Sequence, residues 1–109
     1  MKHHIYNPNF KFVIEPMHFS RNTSRELLQY CLGATLYMPG TKDICNKIVT
    51  HSMGGLTSMV MCFEDAIDEK DLSKAEDNVL NLLESLSDAV KNGKLSIDDI
   101  PLIMIRVRN

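Results

Sequence analysis

Three polar groups each follow an apolar run: Pro39-Gly40-Thr41, Glu64-Asp65, and Arg106 with Arg108 and Asn109. If the runs are parallel strands, their C-terminal ends share one face of a sheet, and that is where α/β proteins build their sites. Two adjacent carboxylates suit a divalent cation with its waters, or general acid/base work. A guanidinium suits a carboxylate, which its planar fork binds through two parallel hydrogen bonds. Glu64 and Asp65 are therefore the catalytic candidates, and Arg106, Arg108, Pro39 and Gly40 the substrate-binding candidates. No direct metal ligand is assigned; Glu64 and Asp65 would approach a metal through water. Each group also has a plainer reading. The acids can solvate a loop ahead of Asp68-Glu69-Lys70-Asp71, one arginine can serve as an ion-pair partner, and Pro39-Gly40 can be a simple turn.

Other chemistry finds little support. His3, His4, His18 and His51 have no partner at a metal-binding spacing. There is no P-loop, no G-x-G-x-x-G and no G-x-S-x-G elbow. Cys31, Cys45 and Cys62 form no C-x-x-C pair, and three scattered thiols fit a reduced compartment as buried small hydrophobes. Met59 and Met61 read as core.

The elements that position these residues follow from periodicity. Thr23-x-x-Glu26 is a capping box opening a helix whose stripe is Leu27, Leu28, Cys31 and Leu32, with Gly33 as its stop. Residues 34–38 read as a strand, Thr41 as the cap of a helix from Lys42, and Gly54-Gly55 as the end of that unit. Residues 57–63 are apolar without alternation, the pattern of a strand buried on both faces. Ser73-x-x-Glu76 is a second capping box, and Ala75, Val79, Leu82, Leu83, Leu86 and Val90 then recur every three or four residues up to Asn92-Gly93. Residues 96–100 make a turn or one helical turn, and 102–109 a third buried-type strand. Phe10 to Ile14 reads as a short strand stopped by Glu15-Pro16. Strands alternating with helices predict βαβ units and a parallel sheet.

With 109 residues the chain makes one small domain. Its formal net charge of −2 excludes a strongly basic nucleic-acid footprint and argues against an anionic membrane surface. No apolar stretch approaches the roughly 18 residues of a transmembrane helix, and the N-terminus has no signal-peptide core. A cytoplasmic protein without nucleic-acid or membrane partners is expected.

The motifs match a known family. Leu36-Tyr37-Met38-Pro39-Gly40 resembles the first-strand "L-[FY]-V-P-G" signature of the citrate lyase β-subunit / HpcH-HpaI aldolase family. The run from Gly55 to Ile67 matches its second-strand "G-A-D-A-V-I-L-D-L-E-D-A-V" without a gap, and Ile105 to Asn109 looks like its third-strand "V-R-[IV]-N". The spacing fits, and Lys74-Ala75 falls in the family's second barrel helix. The extension carrying Glu15-Pro16-Met17-His18-Phe19 looks most like the branch found in tellurium-resistance and stress gene clusters.

The resemblance implies a (β/α)₈ TIM barrel that makes or breaks carbon–carbon bonds in acyl-thioester or 2-oxo-acid substrates, with Mg²⁺ as Lewis acid and an acyl-CoA or acyl-carrier thioester as a possible substrate form. It gives Arg106 a substrate carboxylate to hold and places Glu64 and Asp65 near the metal, through water or as proton-transfer groups. Cys62 departs from the family's first Asp in "D-L-E-D", and Gly33 from an Arg common there. Arg108 adds a second arginine, so either one can hold the substrate, with Arg106 preferred by register. The family's direct Mg²⁺ ligands come from later strands. The expected organisation is an extension with one helix over 1–32, then the first three strands and two helices of a barrel over 33–109. This is an incomplete α/β barrel whose inner apolar side (Leu36, Met59 or Val60, Ile103 or Met104) lacks partners. The complete protein is expected to be a homo-oligomeric lyase, and the 109-residue chain to be inactive alone. The alternative is a non-catalytic α/β interaction module or split-enzyme partner.

Overall fold

The computed structural model describes residues 7–108. It contains three parallel strands in the order β1 (Leu36–Pro39), β2 (Ser58–Cys62), β3 (Leu102–Arg106). Helix α1 (Arg25–Leu28) precedes them, α2 (Cys45–Val49) joins β1 to β2, and α3 (Leu72–Lys91) joins β2 to β3.

The long amphipathic helix forms where its period places it. Ala75, Val79, Leu82 and Leu86 are buried on one side of α3, with Ala89 added, whereas Leu83 on the flank stays exposed. They share one core with Ile44 and Ile48 of the α2 segment and with Met59, Met61 and Phe63. A fully buried side chain of that size is worth about 1.5–3 kcal/mol. Helices α2 and α3 end on the same device. His51 (φ 54°) and Gly93 (φ 67°) take the left-handed position after the helix. The amides of Ser52 and Lys94 then reach back to the carbonyls of Lys47 and Ala89 at 3.0 and 2.9 Å. For α3 this agrees with the Asn92-Gly93 signal. For α2 the stop is His51, three residues ahead of the expected Gly54-Gly55.

The N-terminal capping expectations fail. Ser24 and Asp71 occupy the cap positions of α1 and α3, with no side-chain cap bond. The Thr23 hydroxyl instead accepts from the Ser20 amide at 3.0 Å. A 3-10 turn over Glu69–Asp71 runs directly into α3, so Ser73 already lies inside the helix. Helix α2 starts at Cys45, whose amide bonds the Asp43 carboxylate at 3.0 Å, and Thr41 caps nothing. Residues 10–14 form no strand: Val13 and Ile14 are exposed, and Phe10 and Phe12 meet edge to face. A lone extended run with no neighbouring ladder has little to hold it.

Of the strands, β2 is buried at every position but the half-buried Val60; β1 and β3, at the edges, are partly exposed. Leu36, Met38, Met59, Met61 and Ile103 pack towards the helices. Alternation then puts Tyr37, Val60, Cys62, Met104 and Arg106 on the opposite face. Val60 and Met104, not Met59 and Ile103, thus lie on the face away from the helices, and Leu36 belongs to the helix side, against expectation. At the N-terminal end of the sheet the extension is tied down by polar contacts. The buried Ser58 hydroxyl bonds the Leu32 carbonyl at 2.7 Å and Thr35 Oγ1 at 2.8 Å. Arg21 donates to the carbonyls of Ile97 at 2.8 Å and of Ile100. Among the described residues no helix is long and apolar enough to cross a membrane.

Candidate active site

Register builds the site. Cys62 ends β2 opposite Arg106 of β3 and opposite Pro39 of β1, so the C-terminal ends of all three strands lie side by side. Just past β2, after Phe63, Glu64 and Asp65 turn over this end. Arg106 Nη2 lies 2.8 Å from Asp65 Oδ2 and also contacts Glu64 Oε2. Arg106 Nη1 donates to the Tyr37 hydroxyl at 2.9 Å. The acids and the guanidinium, about forty residues apart in sequence, are thus brought together. The pairs are open to water, Glu64 less so than Asp65, so they contribute at most about 1 kcal/mol to folding.

Arg108 does not share this position. The strand stops at Arg106, short of the expected run over 102–109, so Arg108 lies beyond it. Beyond the ladder, Arg108 turns to the β2–α3 loop and donates to the carbonyls of Phe63, Glu64 and Ile67 at 3.2–3.4 Å. Pro39-Gly40 is a tight packing turn. The Gly40 amide bonds the Cys62 carbonyl at 2.9 Å, and Asn78 of α3 donates to the carbonyls of Gly40 and Lys42 at 2.6 and 3.0 Å.

Two residues join the cluster that the candidate set did not contain. The Tyr37 hydroxyl donates to Cys62 Sγ at 3.5 Å, and the Glu64 amide donates to the same sulfur at 3.4 Å. Burial pushes the Cys62 thiol up. The Tyr37 bond, the amides of Glu64 and Ala66 and the charge of Arg106 together bring it below its ordinary value. The bond to Cys62 holds the Tyr37 phenol above its own, against the opposing pull of Arg106. Arg106 is raised further above an already high value, foremost by its bond to Tyr37. A period-two count from Pro39 and from Glu64 would have placed both residues on this face. Cys62 is buried, whereas Cys31 and Cys45 are only half-buried, short of the burial expected of them; all three are free thiols.

These residues do not by themselves make a cation site. Both carboxylates are engaged by Arg106, and the described residues contain no group of three or more His, Cys, Asp or Glu able to hold a metal ion. His18 and His51 lie elsewhere in the chain, and His3, His4 and Asn109 fall outside the described residues.

A three-stranded parallel sheet in sequential order begins a barrel and also begins an open doubly wound sheet. The comparison with known families decides between them. The sequence model of the C–C bond lyases of the TIM-barrel fold matches residues 26–109. The chain belongs to this family. Neither the search of curated proteins nor that of solved structures found a match.

Proposed function

We propose that the chain supplies the carboxylate clamp of a carbon–carbon lyase or aldolase of the citrate lyase β-subunit / HpcH-HpaI type, acting on acyl-thioester or 2-oxo-acid substrates. The observation that carries this reading is Arg106, set at the C-terminal end of β3 on the face away from the helices, between Tyr37 and the Glu64-Asp65 pair. In this reading Arg106 binds and orients a substrate carboxylate. Glu64 and Asp65 keep its guanidinium charged and aligned, and either one can hold a proton beside the reacting carbon. Mg²⁺, which the family resemblance implies, would supply Lewis-acid stabilisation of the enolate; its direct ligands would come from other strands of a complete barrel, with Glu64 and Asp65 reaching it through water. The reading also carries a cytoplasmic homo-oligomer working on small carboxylates or on an acyl-CoA or acyl-carrier thioester.

The test is a cleavage assay of the longest polypeptide that the gene encodes, with 2-oxo acids and citryl- or malyl-type thioesters, in the presence and absence of Mg²⁺. Cleavage that falls in Arg106→Lys supports the reading, and no cleavage of either substrate class overturns it.

One observation favours a second reading, a non-catalytic interaction module or split-enzyme partner: β1 and β3 both present an outer edge unpaired in this sheet. A genuine stop codon after Asn109, together with a stable monomeric product, would decide for it.

A further inference from the structure

We propose that Tyr37 is a positioning residue for Arg106: its phenol oxygen holds one side of the guanidinium in place while the carboxylates hold the other. This rests on the carboxylate-clamp reading above. Tyr37 lies opposite Val60, and Cys62 lies opposite both Pro39 and Arg106. The tyrosine side chain therefore starts from β1, passes Cys62 and meets a residue two strands away, at 2.9 Å from Arg106 Nη1.

The hydrogen bonds have a defined direction. The Tyr37 proton goes to Cys62 Sγ, which also accepts from the Glu64 amide. With its proton committed, the phenol turns its lone pairs to Arg106, which has only donors to offer. Glu64 and Asp65 both contact Nη2, and the Tyr37 oxygen on Nη1 opposes their pull on the fork. A guanidinium has more N–H donors than these three partners occupy, which leaves donors for a substrate carboxylate. Cys62 thus works through Tyr37.

The contact is read directly from side-chain ¹H–¹⁵N spectra of the arginines in the 109-residue protein. A resolved, immobilised Nη1 signal of Arg106 is expected in the wild type. In Tyr37→Phe, which keeps the ring and removes the acceptor, that signal broadens while those of Arg108 stay in place. The second readout is the affinity of the longest polypeptide that the gene encodes for oxaloacetate, used as a 2-oxo dicarboxylate probe. Tyr37→Phe is expected to raise Kd about tenfold in the wild type and less than about twofold in an Arg106→Lys background. An unchanged Nη1 signal overturns the proposal, and so does a tenfold loss that persists without Arg106. If the signal responds but the wild type binds no oxaloacetate, the carboxylate-clamp reading falls and the positioning of Arg106 stands. Should Tyr37→Phe fail to fold, Cys62→Ala frees the Tyr37 proton and is read in the same way: a broadened Nη1 signal supports the proposal and an unchanged one overturns it.

Discussion

A Cβ placed on Gly40 would fall 2.5 Å from Cε1 of Phe63 and 3.1 Å from the Ala75 Cβ. The turn after β1 and the loop after β2 therefore meet with no room for a methyl group. Phe63 and Ala75 are both buried, so neither can simply step aside. This packing keeps the ends of β1 and β2 together, and with them Tyr37 and Cys62. Gly40→Ala is expected to destabilise the fold by about 1–3 kcal/mol. A urea midpoint equal to that of the wild type would show that the loop yields at no cost.

Arg106 and Arg108 should separate in kinetics. Arg106→Lys retains the charge and loses the fork, so kcat/KM of the longest encoded polypeptide should fall roughly tenfold to a hundredfold. Arg108 holds backbone carbonyls of the β2–α3 loop. Arg108→Lys should cost about 1 kcal/mol of stability and much less in kcat/KM. Steady-state kinetics and thermal melts of both variants check this. A larger kinetic loss in Arg108→Lys would make Arg108 the substrate arginine.

Alkaline pH should move stability in two opposite steps. Cys62 is lowered from 9.0 in the fold, so its thiolate is favoured there. Its contribution is fully present above 9.0 and is lost as pH falls through the lowered value. Tyr37 is raised from 10.0, so its contribution is present below 10.0 and is lost as pH rises through the raised value. Unfolding free energy should therefore climb towards pH 9 and decline above pH 10. Cys62→Ser should remove the climb and Tyr37→Phe the decline; denaturant titrations across this range decide it.

The uncovered surface has its own consequence. Neither α2 nor α3 covers the sheet face bearing Tyr37, and Ile105 on the edge strand β3 and Val107 just beyond it are 44% and 63% exposed. Open edges and apolar patches recruit partners. The 109-residue chain is expected to self-associate with rising concentration and to bind a hydrophobic dye. A concentration-independent monomer in sedimentation equilibrium would contradict this.

Helix α3 was legible in the sequence because burial of a helix face is a local, periodic property: Ala75, Val79, Leu82 and Leu86 mark it without help from the rest of the chain. The strands were legible as apolar runs, but their parity was not. Met59 and Val60 are both apolar, and only packing against α3 shows that Met59 turns to the helices. The capping box at Thr23 misled because its hydroxyl accepts from the Ser20 amide instead, and that at Ser73 because the 3-10 turn over Glu69–Asp71 starts the helix ahead of it.

The sequence by itself determined the alternation of strands and helices, the family motifs and the positions of Glu64, Asp65 and Arg106 at strand ends. Tertiary structure alone decided how these groups meet. Which of two arginines reaches the acids depends on where the β3 ladder stops, and it stops at Arg106. That Tyr37 and Cys62 join the cluster depends on the register of three strands, set by hydrogen bonds between segments far apart in the chain. Such pairings are non-local, and no periodicity within a single segment encodes them.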